Sequence, residues 1–134
     1  MKKTWLLILA ALLLSVALVA CNEENDLPKD MTYEQITPAE AKSLMDSESG
    51  YIILDVRTPE EFAEGHIEGA ILISDYEIGE KAEKILTDKD QLILVYCRSG
   101  RRSKNAANEL AELGYTNIKE FGGIIDWEYG TVTE

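Results

Sequence analysis

Polar and apolar positions along the 134-residue chain change their period several times. Residues 5–19 (WLLILAALLLSVALV) form a nearly continuous apolar block. Residues 22–31 (NEENDLPKDM) then carry no apolar period and read as a flexible tether. From residue 32 onward, strand-like and helix-like runs alternate. Residues 33–36 make a short candidate strand. Thr37, Pro38 and Glu40 then supply a hydroxyl cap, a proline for the first helical position and a glutamate to close a capping box, which starts a helix running to about residue 47. Residues 51–56 (YIILDV) are an apolar run of strand length. Thr58, Pro59 and Glu61 repeat the capping pattern for a short helix ending near residue 64. Residues 70–73 predict a further strand, 76–86 a helix, and 92–96 (LILVY) the most buried strand of the chain. Apolar residues at Ala106, Ala107, Leu110, Ala111 and Leu113, with Gly114 as the stop, predict a helix over 103–113. A last strand is expected at 117–121 and a helical turn within 124–129.

Strands without polar alternation, separated by helices, imply an α/β fold with a parallel sheet covered on both faces. Ligands bind such sheets beyond the carboxyl ends of the strands. Candidate chemistry is therefore sought in the loops that follow strands.

The start of the chain has a separate logic. Lys2 and Lys3 precede the apolar block, and small residues lead to Cys21, in the order of a secretory signal. Residues 18–21 (LVAC) resemble the lipobox of bacterial prolipoproteins, which are cut before a cysteine that then carries lipid. The division expected is a signal peptide over 1–20, lipidated Cys21 with a tether over 21–31, and one domain over 32–134. The apolar block is short for a comfortable span, although an uncleaved anchor would display the domain on the same side. The expectation is an exported chain anchored to the outer face of a bacterial membrane through Cys21.

The full chain carries 13 basic and 25 acidic residues, a formal net charge of −12. Loss of residues 1–20 would remove two lysines and no acid, taking this to −14. A surface this acidic repels nucleic acid, which is excluded as a partner. One histidine, and one cysteine besides Cys21, give no ligand cluster for a metal, and no cofactor is expected.

Against this acidic background, residues 97–104 read CRSGRRSK. Cys97 follows the most apolar strand and precedes a helix, where unpaired backbone N–H groups favour negative charge. Gly100 lets the loop curl. Arg98, Arg101, Arg102 and Lys104 crowd four cations around the thiol, a setting that favours the thiolate. A nucleophile inside an anion-binding cup suits attack on an anionic substrate. A buried structural cysteine, the bland alternative, leaves the arginines unexplained.

The CRSGRR loop is similar to the active-site loop of single-domain rhodaneses. LDVRTPEEFAEGHIEGA (54–70) resembles that family's upstream signature, and FGGIIDW (121–127) its C-terminal one. The resemblance implies a five-stranded parallel sheet flanked by helices on both faces. It implies a sulfurtransferase in which Cys97 takes sulfane sulfur from a small anionic donor, such as thiosulfate or a polysulfide, and passes it as a persulfide to cyanide or a thiol. Arg98, Ser99, Gly100, Arg101 and Arg102 would bind the donor. Asp55, Arg57 and His66 would support the site, His66 structurally rather than as a base. Gly122 and Gly123 are expected to allow a tight turn before Trp127 packs on the core. One alternative is a persulfide carrier or binding module serving a protein acceptor. Another is a phosphatase or arsenate reductase of the same fold. Those enzymes place arginine six residues after the cysteine, where this chain has Ser103.

Overall fold

A computed structural model describes residues 32–134. The expected signal peptide, Cys21 and the tether lie outside the described residues. Five strands form one sheet: β1 (Glu34–Gln35), β2 (Ile52–Asp55), β3 (Ile71–Leu72), β4 (Ile93–Cys97) and β5 (Ile118–Gly123). Every pairing is parallel, and the spatial order is β1-β5-β4-β2-β3. Four α-helices connect them: α1 (Pro38–Ser47), α2 (Pro59–Glu64), α3 (Ile78–Ile85) and α4 (Arg101–Glu112). The edge strands β1 and β3 are two residues each, too short to offer a long template for foreign pairing.

The period of two along β4 assigns its side chains to two cores. Ile93, Val95 and Cys97 join Ile78 and Ala82 of α3 and Ala106, Ala107 and Leu110 of α4 on one face. Leu94 and Tyr96 join Ala41 of α1, Ile53, Ile67 and Phe121 on the other, with Trp127 half-buried against them. All five β4 residues are buried, as expected of a central parallel strand. The thiol is thus placed by strand periodicity: Cys97 points toward α4, the helix its own loop begins.

Both threonine caps form, with different outcomes. Thr37 and Glu40 close the expected reciprocal box, at 3.1 Å and 2.8 Å. Thr58 accepts from the Glu61 amide at 3.2 Å, but the Glu61 carboxylate takes the Thr58 hydroxyl at 3.3 Å and Arg102 rather than the Thr58 backbone N–H, so the box does not close. The helix expected over 76–86 is a 3₁₀ turn (Asp75–Glu77) followed by α3, because its first residues leave a strand end rather than a cap. The helical turn expected within 124–129 is a 3₁₀ turn over Ile124–Asp126. The helix expected to start at 103 starts at Arg101: Gly100, at φ 111°, reverses the chain in one residue, so Arg101 and Arg102 lie in the first turn of α4.

Candidate active site

β4 lies between β5 and β2, so its carboxyl end opens at the centre of the sheet's edge. Cys97 is its last residue, opposite Gly123 of β5. Its Sγ accepts the Gly100 N–H at 3.0 Å, and only 1% of the residue is exposed. A backbone donor aimed at the sulfur stabilises negative charge on the free thiolate. Access is narrow, so only the end of a slim donor can reach Sγ.

The loop is pinned from below. Ser103, fully buried, donates within reach of Gly100 O at 3.0 Å and Glu120 Oε1 at 2.6 Å. Glu120, on β5 and 2% exposed, also accepts the Gly122 N–H at 2.8 Å. Residue 103, which marked the departure from an arginine at that place, is thus a strut linking the cysteine loop to β5. The only sequence signal for Glu120 was an acid within the last expected strand.

Gly122 has φ +86° and makes the expected turn, whereas Gly123 does not. At φ −141° it is ordinary extended backbone. Its missing side chain matters for space, because a Cβ there would overlap the Arg98 carbonyl and the Ser99 nitrogen. Arg98 O also accepts from Ile125 N–H at 3.3 Å. The cysteine loop therefore lies directly on the backbone of β5. Gly123→Ala is expected to displace the loop, costing about 2 kcal/mol in stability and roughly ten- to a hundredfold in turnover. Chemical denaturation and steady-state assays of the variant check both.

The arginines divide into distinct roles. Arg102 makes a bidentate pair with Glu61, at 2.7 Å and 2.9 Å. Arg57, 5% exposed, is bound to fully buried Asp55 through Nε and Nη2, the latter at 2.7 Å. Arg98 and Arg101 are exposed, and neither has an acidic partner among the described residues. An open depression of about 390 Å³ is lined by Arg57, Glu61, Glu64, Arg98, Arg102, Ile124 and Ile125, and its lining does not include Cys97 or Gly100. Ser99 and Arg101 lie outside that lining. A second depression, under Trp127 and Tyr129, is also lined by Lys42 and Asp46 and contains no cysteine.

The hydrogen bonds from Arg102 hold the Glu61 carboxyl at about 2, from an ordinary 4.5. A depressed carboxylate contributes stability that is complete above its unfolded value and fades as pH falls through its folded one. The Glu61–Arg102 contribution is thus expected to be lost between pH 4.5 and about 2. Thermal melts of Glu61→Gln against the parent chain will show a shallower acid limb in that window.

Asp55 and Arg57 reach the neighbouring turn rather than Cys97. Burial pulls the Arg57 guanidinium down, and its bonds to Asp55 more than reverse this, so it stays charged. Arg57 Nη2 also donates to Gly65 O at 2.7 Å. Burial, and then the Asp55 charge, push the Tyr96 phenol up, so Tyr96 donates to Asp55 at 2.7 Å and accepts from Ile67 N–H at 3.1 Å. His66, 3% exposed, stacks on Phe62 with ring centroids 3.7 Å apart. Its Nδ1 and Nε2 face Phe62 O at 2.8 Å and Glu134 O at 3.0 Å, and its backbone bridges to Val132. Both ring nitrogens are committed to main-chain oxygens, and none of these contacts involves Cys97.

Comparison with known proteins agrees with this fold. The family model of the rhodanese-like domain matches residues 37–129. Thiosulfate sulfurtransferase PspE of Escherichia coli is 40% identical over 73 residues, covering 54% of this chain and 70% of that protein. Thiosulfate sulfurtransferase GlpE of Coxiella burnetii is 34% identical over 99 residues, covering 73% and 90%. The solved structure of a rhodanese with anions from E. coli superposes with a TM-score of 0.59 at 36% identity, covering 63% of this chain and 99% of that one.

Proposed function

Because this chain belongs to the rhodanese-like family and is a sulfurtransferase of that kind, we propose that Cys97 is its sulfur-carrying nucleophile. The thiolate attacks the terminal sulfur of a donor. With thiosulfate, a Cys97 S–S bond forms, the donor's S–S bond breaks, and sulfite leaves with the electron pair. The persulfide is then attacked at its outer sulfur by cyanide or a thiol, and the Cys97 thiolate is regenerated. The observation that carries this reading is the Gly100 N–H aimed at a sulfur seated at a strand's end under a loop of arginines. Arg98 and Arg102, on the wall of the depression, are placed to steer the donor anion.

Intact mass of the purified chain after mixing with thiosulfate tests the first half-reaction. A gain of one sulfur that disappears on adding cyanide is expected. No adduct with thiosulfate, persulfide or polysulfide would overturn the assignment.

The domain's placement at a membrane surface is part of the same proposal. What supports it is the order of Lys2 and Lys3, the apolar block and Cys21, followed by a polar tether. Two or more acyl chains on Cys21 would anchor the chain stably to the outer face of a bacterial membrane. Palmitate labelling is expected to follow Cys21, and unchanged labelling and processing in Cys21→Ala would refute the anchor.

A further inference from the structure

Glu120 is a buried acid for which the transfer chemistry itself gives no reason. It is 2% exposed, and among the described residues no lysine or arginine pairs with it. Burying a carboxyl group without a cation costs stability unless hydrogen bonds satisfy it. Here Oε1 accepts from two separate elements. The Ser103 hydroxyl, in the first turn of α4, approaches at 2.6 Å, and the Gly122 N–H of β5 at 2.8 Å. Ser103 has one hydroxyl proton, and Gly100 O and Gly122 O lie farther from it, at 3.0 Å and 3.3 Å. Gly100 O also accepts the Lys104 N–H at 3.1 Å. The nearest acceptor for the Ser103 proton is therefore Glu120.

The two elements that Glu120 joins flank the cysteine loop. On one side, Gly100, whose N–H reaches Sγ at 3.0 Å, stands against β5. A Cβ on Gly100 would meet Gly122 Cα at 3.6 Å and Glu120 Oε1 at 3.9 Å. On the other side, Gly123 lies so close to the Arg98–Ser99 peptide that a Cβ there would overlap it. One carboxyl oxygen thus ties the start of α4 to the turn of β5 on which residues 98–100 rest. From this we propose that Glu120 is a positioning residue for sulfur transfer, which by tying Ser103 to Gly122 holds the Gly100 N–H on Cys97 Sγ and so sustains the reactive thiolate. The inference rests on the sulfurtransferase reading and deepens it. Glu120 acts through Ser103 and Gly122 and takes no part in bond exchange.

The experiment follows alkylation of Cys97 by iodoacetamide against pH in the full chain, resolved from Cys21 by peptide mass, beside persulfide formation from thiosulfate. In Glu120→Ala and in Ser103→Ala the Gly100 N–H is expected to leave the sulfur. Loss of one hydrogen bond to a charged group raises the pH of half-maximal alkylation by about one unit. Persulfide formation near neutral pH then falls about tenfold, and the deficit closes to within about twofold at a pH where the thiol is ionised in parent and variant alike. Loss of a nearby negative charge alone would move the profile the other way. Glu120→Gln keeps an oxygen acceptor for both donors and is expected to stay within about twofold of the parent chain. Ile118→Val weakens the core beneath the same strand without touching the link, and is expected to leave the profile in place. Arg102, whose charge interacts with that of Cys97, is altered in none of these variants.

An alkylation profile unmoved in Glu120→Ala and Ser103→Ala overturns the inference. So does a deficit of equal size at every pH, the mark of general structural damage, and so does a Glu120→Gln variant as impaired as Glu120→Ala. If Glu120→Ala does not fold, Ser103→Ala cuts the same link from its other end and decides the matter. Alkylation needs no sulfur donor, so it reads the positioning of the thiol apart from the transfer chemistry. Absence of persulfide in the parent chain overturns the sulfurtransferase reading, while the alkylation profile still decides whether Glu120 positions Cys97.

Discussion

Replacing Cys97 with serine is expected to leave the chain folded and to lower sulfur transfer from thiosulfate to cyanide by at least about a thousandfold. A serine hydroxyl stays protonated near neutral pH, and its oxygen forms no persulfide. The fold tolerates the change because the side chain is nearly isosteric and its oxygen can take the Gly100 N–H that Sγ accepts now. Some stability is lost, since Cys97 packs in the apolar cluster with Val95 and Ala106. Among the described residues no second cysteine is present to substitute for it. The steady-state rate, read beside the intact mass after thiosulfate, checks both halves. A sulfur adduct in Cys97→Ser would locate the nucleophile elsewhere.

Asp55→Ala carries the largest expected loss of stability, about 3–5 kcal/mol. The carboxylate is fully buried and accepts from the Arg57 N–H at 2.9 Å, from Arg57 Nη2 at 2.7 Å and from Tyr96 at 2.7 Å. Its removal leaves a buried guanidinium without a counter-charge and a buried phenol without an acceptor. The damage then reaches the turn after α2, because Arg57 holds Gly65 O and Tyr96 holds the Ile67 amide. Urea denaturation measures the loss. Pairing Asp55→Leu with Arg57→Met is expected to restore much of it, since two apolar residues of similar bulk leave no charge stranded. If the double variant is as unstable as the single one, the cost lies in shape and not in charge.

The alternation of apolar runs, the two threonine caps and the glycine after the last long helix determined a parallel α/β fold from the sequence alone. These signals are local: strand and helix periods, and caps, are written within a few adjacent residues. The position of Cys97 was legible for the same reason, since a thiol after LILVY and before a helix must lie at the carboxyl end of a buried strand. Partnership was not legible. Arg98, Arg101 and Arg102 are equivalent as letters, yet only Arg102 meets Glu61, which lies 41 positions away and looked like half of a capping box. Glu120 and Ser103 meet 17 positions apart beneath the loop, and Gly123 is required by the backbone of Arg98 rather than by a turn. The sequence alone determined which elements form and pointed to Cys97 as the candidate nucleophile. Only the tertiary structure decided which arginines pair with carboxylates beside the site, because Coulomb energy depends on distances that folding sets and on the water that burial removes.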